Sequence, residues 1–166
     1  DGSFTANGGN NMSIQNGIQN PGTFYIYGSS WYSTPPSGYS YYNLWSMDNT
    51  VTGYNDNAVV KTIYDPCPAG YKLPPSNVYT GFSTTGGNTG TVSQFNVQGA
   101  WAKGWNFYCG LNHTGDTVFF PASGYRGRSS AVPCDMGNIA YYWTAGPYDT
   151  YNGWYLIFHA GFVYPL

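Results

Sequence analysis

Hydrophobic side chains along the chain occur in short stretches that alternate with polar or small residues. Alternation with a period of two residues predicts β-strands. The stretches that predict strands lie at 23–31, 101–111, 116–126, 140–145, 153–159 and 161–164. A β-branched run at 59–65, directly before Pro66, predicts one more short strand. We therefore expect an irregular β-rich domain.

Prolines break up the segment 65–82, which reads DPCPAGYKLPPSNVYTGF. Each proline fixes its own φ angle and lacks a backbone N–H, so neither a central strand nor a long helix fits here. Ser76 follows a proline pair and is predicted to cap one short helix over 77–82. Glu is absent from the chain, while Gly, Asn, Thr and Tyr are common, so we expect few helices and long ordered loops.

The first residues differ in character from the rest of the chain. Residues 1–22 are rich in Gly and Asn and only weakly periodic. We interpret them as a linker or as an N-terminal strand arriving from a preceding domain. The length of the remainder, 23–166, fits one domain.

The few charges and many aromatic residues limit what the chain can bind. Only 7% of its 166 residues are charged, against roughly 25% in ordinary domains, whereas 20% are aromatic. The five Lys and Arg residues are scattered and the net charge is −2, so we expect no nucleic-acid surface. No apolar run approaches the roughly 18 residues needed to span a bilayer, so we expect no membrane span either.

Three sequence motifs carry a resemblance to a known family. They are DPCPAGYKLP at 65–74, FFPASGYRG at 119–127, and AYYWTAGPYD with GWYLIFHAGFVYP at 140–165. These motifs resemble the C-terminal domain of fimbrillin-like pilus-tip and surface adhesins of gut Bacteroidetes, and are similar to the Fibrobacter succinogenes major paralogous domain. The resemblance covers roughly residues 60–165. It implies an α+β, β-rich domain with a C-type-lectin-like fold, short strands, long ordered loops and at most one or two short helices.

The same resemblance implies a function and a location. The domain is expected to be extracellular, on the cell surface or at a pilus tip, and to bind a ligand without catalysing a reaction. Its partners would be a protein or glycan receptor on a host or neighbouring cell, and pilus subunits contacted through a missing N-terminal domain. Similar domains that end in a YYW segment are diversified by retroelements, and this chain is compatible with such diversification.

Binding residues are expected near the C terminus, at the positions that separate the scaffold-like segments FPASGYR, AYYW and WYLIF at 120–126, 140–143 and 154–158. The 18 Tyr and six Trp exceed what a core of this size can hide, and Tyr and Trp among Ser, Gly and Asn are typical of binding surfaces. The segment 148–154 has this composition. The candidate ligand-binding residues are Arg128, Ser130, Asn138, Ile139, Tyr148, Thr150, Tyr151, Asn152, His159 and Phe162.

Two other functions remain as alternatives. The first is a structural fimbrial or cell-surface subunit that binds no external ligand, which a protruding donor strand or an open acceptor groove would favour. The second is a carbohydrate-binding module, which would require stacked, planar aromatic side chains.

Catalysis is not expected. His113 and His159 are the only histidines, and no G-x-S-x-G motif surrounds a serine. Cys109 and His113 are four residues apart across a turn, without a flanking element to hold a base against a nucleophile. The Asp residues lie mostly in Gly/Asn loops, where they are more simply turn formers than paired catalytic carboxylates.

No cofactor or metal site is expected either. The Cys and His residues lack zinc-ligand spacing. Oxygen-rich clusters occur at 48–49 and 55–57, where Asx turns are favoured over a calcium loop. The three cysteines, Cys67, Cys109 and Cys134, permit at most one intramolecular disulfide, and the sequence does not choose among the pairings.

Two residues within the motifs are expected to be structural. Arg126 is expected to form an ion pair or to bond a backbone carbonyl. Trp143 is expected to be a core or framework aromatic residue, with Tyr141 on the same side of its strand.

Overall fold

The computed structural model describes residues 5–7, 14–25, 35–149 and 152–165. Its strands are β1 (Thr5–Asn7), β2 (Thr23–Tyr25), β3 (Val97–Gln98), β4 (Gly104–Tyr108), β5 (Thr117–Pro121), β6 (Tyr125–Arg126), β7 (Pro133–Cys134), β8 (Ile139–Pro147), β9 (Gly153–His159) and β10 (Phe162–Tyr164). Its helical elements are α1 (Ile14–Gln19) and the 3₁₀ helices Ser76–Phe82 and Val92–Gln94. The described part of the chain is therefore strand-rich with few helices.

The strands form small sheets rather than one large one. Two antiparallel sheets have three strands each, in the orders β3-β4-β5 and β10-β9-β8. Two further pairs are β6-β7, which is antiparallel, and β1-β2, which is parallel. Within the described residues, no helix is both long and apolar enough to cross a membrane.

The hydrophobic core lies between the two three-stranded sheets. Trp105 and Phe107 of β4 face Leu156 and Phe158 of β9, and all four side chains are buried. Phe95, Ala140 and Val163 complete this cluster. Full burial of one such large apolar side chain contributes roughly 1.5–3 kcal/mol, so the core joins the two sheets firmly. The residues between these in each strand point away from the core.

The three C-terminal strands lie where the alternation predicts them. The prediction of 140–145, 153–159 and 161–164 corresponds to β8, β9 and β10. The run 101–111 contains β4, and 116–126 contains β5 and β6. Of the predicted strand 23–31, the described residues form β2, and the remainder lies outside the described part of the chain.

The predicted strand at 59–65 is wrong. Only Lys61 forms a β-bridge there, with Ser46, and the run ends in a turn at Asp65. The Asp65 carboxylate accepts hydrogen bonds from the backbone N–H groups of Cys67 and Leu73, 2.8 and 3.1 Å away, and from the Lys61 ammonium. These bonds hold the proline-rich segment 65–82 against residues 59–65. The Asp65 carboxylate thus pairs with backbone N–H groups that would otherwise need a partner strand.

The short helix after the proline pair is present, but its predicted cap is wrong. It is a 3₁₀ helix that begins at Ser76, and Pro75 occupies the cap position without a side-chain hydrogen bond. The buried Ser76 hydroxyl instead accepts from the Asn55 N–H at 3.0 Å and donates to the Asn55 carbonyl. Two helical elements were not predicted, α1 and the 3₁₀ turn Val92–Gln94.

Candidate functional site

The side of the β8-β9-β10 sheet that faces away from the core carries a row of aromatic residues. Strand pairing places residues with facing Cα atoms on the same side of an antiparallel sheet. Ala140 pairs with Phe158, and both are buried. The positions between them must therefore point outward. The outward side chains of the three strands are Ile139, Tyr141, Trp143, Tyr155, Ile157, His159, Phe162 and Tyr164. We call these residues, together with Tyr125, the aromatic face.

Ring contacts connect Tyr125, Tyr141, Trp143 and Tyr155 into one cluster on this face. The rings of Tyr125 and Tyr141 lie 5.5 Å apart between centroids, and those of Tyr141 and Tyr155 lie 5.3 Å apart. Trp143 contacts Tyr155 at 5.2 Å with an interplanar angle of 78°. These pairs meet edge to face, which is a favoured geometry for aromatic rings. Such contacts hold the side chains in place before any ligand arrives.

A second group of rings lies at the opposite margin of the sheet, on β9 and β10. The rings of His159 and Phe162 have centroids 3.7 Å apart, and Phe162 stacks on Tyr164 at 4.4 Å. The His159 Nδ1 accepts a hydrogen bond from the Gly161 N–H at 2.6 Å, so the β9–β10 turn fixes the orientation of its ring. The aromatic face thus extends across all three strands.

Solvent reaches much of the aromatic face. Trp143 is 47% exposed, Tyr125 is 42% exposed and Tyr164 is 37% exposed. The expectation that Trp143 belongs to the core is therefore wrong, whereas Tyr141 does lie on the same side of β8. Large aromatic side chains that stay exposed as a contiguous group mark an interaction site more strongly than scattered ones.

Two cavities lie next to each other on this side of the sheet, and Asn152 and Tyr155 line both of them. One has a volume of about 530 Å³ and is lined by Tyr125, Tyr141 and Trp143, with Arg126 and Phe24 at its border. The other has a volume of about 300 Å³, and its lining includes Tyr148, Trp154, Ile157 and Tyr164. The larger cavity is within the usual range of roughly 300–1,000 Å³ for ligand clefts, and the smaller one is at its lower limit.

Asn152, directly before β9, lines both cavities and is hydrogen-bonded to Asp149. The Asp149 carboxylate accepts hydrogen bonds from the backbone N–H and the side-chain amide of Asn152, at 2.8–3.0 Å. Trp154 stacks on Tyr54 at 4.3 Å and meets the edge of Tyr148 at 4.8 Å. Its buried indole N–H has no hydrogen-bond partner in the structure. A buried N–H without a partner costs free energy, so this donor favours an acceptor nearby.

The electrostatics of the face are those of neutral hydroxyl groups. The Asp135 carboxylate accepts a hydrogen bond from the Tyr125 hydroxyl and raises its pKa, with a further contribution from the negative charge. Burial raises the pKa of Tyr141, and Tyr155 and Asp135 raise it further. Both hydroxyls therefore stay protonated at neutral pH. They can donate and accept hydrogen bonds without carrying charge.

The structure brings some of the predicted site residues together. Ile139, His159 and Phe162 belong to the aromatic face. Tyr148 and Asn152 line the smaller cavity. Thr150 and Tyr151 lie outside the described residues.

The remaining predicted residues lie around the β6-β7 pair. Arg128 and Ser130 are exposed in its turn, and Asn138 directly precedes β8. They are not among the residues that line the two cavities. Arg126 donates a hydrogen bond to the Ala131 carbonyl at 2.8 Å, which confirms the predicted bond to a backbone carbonyl.

The sequence prediction missed most of the aromatic face. Tyr125, Tyr141 and Tyr155 lie within the scaffold-like segments FPASGYR, AYYW and WYLIF, and Tyr164 is not among the predicted binding residues. In the structure Leu156 and Phe158 are the buried positions of β9, so Tyr155 projects from the other side. The sequence gives no such signal, because Ile157 between them is apolar as well. Motif membership does not separate the two sides of a strand.

Two of the residues considered for catalysis or metal binding, His113 and Asn55, form hydrogen bonds that shape their loops. The Nε2 atom of His113 lies 2.8 Å from the Phe95 carbonyl, and its backbone N–H is bonded to Asn96. The Asn55 side-chain carbonyl accepts from the Asn57 N–H, which is an Asx turn. The described residues contain no cluster of three or more His, Cys, Asp or Glu that could hold a metal ion.

Comparison of the chain with family models, with curated proteins and with solved structures gave no match. The family resemblance of the three sequence motifs therefore stays a prediction, and the function is argued from the side chains described above.

Proposed function

We propose that this chain is a non-enzymatic, extracellular ligand-binding domain of an adhesin, with a C-type-lectin-like fold, carried on the cell surface or at a pilus tip. The observation that carries this proposal is the aromatic face, a contiguous outward row of aromatic side chains on the β8-β9-β10 sheet. The two small antiparallel sheets and few helices support the fold assignment at the level of a β-rich α+β domain.

The chemistry of the face suits binding by surface complementarity. Tyr and Trp present large apolar areas and lose little conformational entropy when they are buried in an interface. The Tyr hydroxyls and the Asn152 amide add neutral hydrogen-bonding groups at the cavity borders. A central aromatic contact of this kind contributes about 2 kcal/mol or more to binding. The face therefore fits an uncharged, partly apolar surface on a receptor.

The ring orientations favour a protein receptor over a flat sugar. A carbohydrate-binding module stacks sugar rings on coplanar aromatic side chains. On this face, the interplanar angles are 61° for Tyr141 with Tyr155 and 78° for Trp143 with Tyr155. Phe162 and Tyr164 do stack, with an angle of 24°, but they lie at one margin of the sheet. Because the central rings meet at steep angles, they form an uneven surface. Such a surface fits the side chains of a protein better than a flat sugar ring.

Diversification of this surface by a retroelement is a subsidiary proposal. Ile139, His159 and Phe162 combine an outward position on the sheet with a location outside the scaffold-like segments AYYW and WYLIF. Sequencing the genomic region around the coding sequence tests the idea. We expect a template repeat and a reverse transcriptase nearby, and their absence would contradict it.

Binding to host cells and to arrays of glycans and cell-surface proteins tests the main proposal. The informative variant is Trp143→Ala with Tyr155→Ala, which removes the centre of the aromatic face. The matched control is Ile63→Ala with Tyr71→Ala, because these residues are 79% and 71% exposed but do not belong to the face. Circular dichroism and thermal melting verify that both variants fold.

We expect the wild type and the control to bind the same ligand with equal affinity. The Trp143/Tyr155 variant should bind at least 30-fold more weakly, which corresponds to about 2 kcal/mol, the loss expected if only one of the two contacts is central. A folded variant that binds as well as the wild type would refute the assignment of the face. Binding to glycans alone would favour the carbohydrate-binding alternative.

A further inference from the structure

A second surface lies on the other three-stranded sheet, at the free edge of β5. In the described part of the chain, β5 pairs only with β4. Its five residues, Thr117–Pro121, include no charged side chain. Proteins usually protect a free edge with charges, prolines or bulges, and here a proline occupies only the last position. Within the described residues, the edge therefore has no partner strand along Thr117 and Phe119.

The hydrogen-bonding pattern shows which backbone groups of β5 point outward. The Cys109 N–H donates to the Asp116 carbonyl, and the Ala122 N–H donates to the Lys103 carbonyl. Because bonded pairs alternate in an antiparallel ladder, Val118 and Phe120 bond to β4, whereas Thr117 and Phe119 direct their N–H and C=O groups away from it. These groups form a short template for another extended chain.

An apolar groove runs beside this edge. It has a volume of about 380 Å³ and lies between β5, the end of β4 and the 3₁₀ helix Ser76–Phe82. Its border residues are exposed: Leu111 by 67%, Val118 by 51% and Val78 by 45%. No charged side chain lines it. An occupant must therefore be apolar and uncharged where it enters the groove.

The walls of the groove are fixed before any occupant binds. Phe82 of the helix stacks on Phe107 at 4.1 Å and meets the edge of Phe120 at 4.9 Å. The buried Asn96 amide donates to the carbonyls of Gly81 and Gly110, both at 2.8 Å, and so ties the helix to the end of β4. A rigid groove loses little entropy on binding.

We propose that the β5 edge and its groove bind an extended, uncharged peptide segment of another polypeptide as an added strand. The segment pairs its backbone with Thr117 and Phe119. Alternate apolar side chains of the segment enter the groove beside Val118, while those between them point to solvent. A folded surface or a compact small molecule could fill the groove but would leave the row of outward backbone groups unpaired. This binding does not depend on the aromatic face, which lies on the other sheet.

A pair of variants at one position isolates the backbone contribution. Phe119→Pro removes the outward N–H of residue 119 and leaves the ladder with β4 intact, because this N–H does not bond to β4. Phe119→Ala removes the same side chain but keeps the N–H, so it is the matched control. A second pair tests the groove: Val118→Lys puts a charge on its border, whereas Thr117→Lys puts one on the opposite side of the same strand.

The probe is a phage-displayed library of random twelve-residue peptides, selected on the intact chain. Enriched peptides are synthesised, and their affinities are measured by fluorescence anisotropy. We expect them to be uncharged, to alternate apolar and polar residues, and to bind about tenfold more weakly to Phe119→Pro and Val118→Lys. Their binding to Phe119→Ala and Thr117→Lys should change less than threefold.

Three results would overturn the proposal: no enriched peptide, peptides whose binding is the same for both members of each pair, or peptides that compete with a ligand of the aromatic face. Thermal melting of all four variants shows that any loss of binding is not a loss of folding. Loss of peptide binding in the Trp143/Tyr155 variant, with the β5 variants unaffected, would place the site on the aromatic face instead.

Discussion

At the scale of single residues, Asp65 determines the path of the proline-rich segment. Its side chain is 7% exposed and accepts hydrogen bonds from Lys61, Cys67 and Leu73. Burial alone would raise the pKa of this carboxyl, but the Lys61 ammonium and the backbone donors together lower it below its ordinary value. A carboxyl whose pKa is lowered by folding stabilises the folded state above its ordinary pKa, and that contribution is lost as the pH falls through the lowered value.

Replacing Asp65 by Asn is therefore expected to destabilise the protein at neutral pH. The free energy of unfolding should fall by about 2–3 kcal/mol, since charge-assisted hydrogen bonds are lost. The difference from the wild type should be full above about pH 4, the ordinary value for Asp, and should shrink below it. Urea unfolding at several pH values measures this. The exposed Asp48→Asn is the control, and an equal effect of both substitutions would contradict the role of Asp65.

Whether the sequence predicted the role of a single residue depended on how far along the chain its hydrogen-bond partner lies. The Asx turn at Asn55 and the carbonyl bond of Arg126 involve neighbours within a few residues, and both were predicted. Ser76 bonds to Asn55, 21 positions away, and the sequence does not show that contact. The exposure of Trp143 was missed for the same reason, because it depends on which side of β8 faces the other sheet.

At the scale of elements, alternation predicted strands well where the strands pair with sequence neighbours. Short connections join β8 to β9 and β9 to β10, so each strand pairs with its neighbour in sequence. The alternation of residues and the pairing of strands therefore indicate the same three strands. The run 59–65 has the same residue types, but among the residues that the structure describes it pairs with no strand. Its one bridge partner there is Ser46. The site was predicted in part: its hairpin and margin residues were identified, but its central Tyr and Trp residues were assigned to the framework.

The β6-β7 pair, which carries Tyr125 of the aromatic face, depends on Gly124. This residue has φ of 71°, and an added Cβ would lie 2.3 Å from the Cys134 carbonyl oxygen. Gly124→Ala is expected to lower the free energy of unfolding by about 2 kcal/mol or more and to weaken ligand binding through Tyr125. Gly87→Ala, at a position with open space and no positive φ, is the control. Equal urea midpoints for the two variants would contradict this explanation.

At the scale of the whole molecule, the scarcity of charge and surplus of aromatic residues acquire a structural meaning. The inner sides of the two sheets use aromatic residues for the core, and the outer side of one sheet displays them. The β5 edge offers a second, uncharged surface on the other sheet. Uncharged surfaces of this kind interact through shape and hydrogen bonds, so their binding should depend weakly on salt.

All three cysteines of the chain are free thiols, so no disulfide contributes to the fold of the described residues. Burial, and next the Asp65 charge, raise the pKa of the Cys67 thiol, which slows its reaction. Cys109 is exposed. Titration with a thiol reagent without prior reduction should therefore detect three thiols in the unfolded chain. In the folded chain Cys67 should react more slowly than Cys109, and Cys109→Ser should remove one rapid equivalent. Detection of a single thiol after unfolding would show a disulfide and contradict the structure.

Covalent footprinting of the ligand complex tests the central claim most directly. A photoactivated carbene labels exposed side chains, and mass spectrometry compares labelling of the free and ligand-bound chain. We predict that the ligand protects Tyr125, Trp143, Tyr155 and Tyr164 and leaves Ile63 and Tyr71 labelled as before. Unchanged labelling of the aromatic face in a saturated complex would contradict the account.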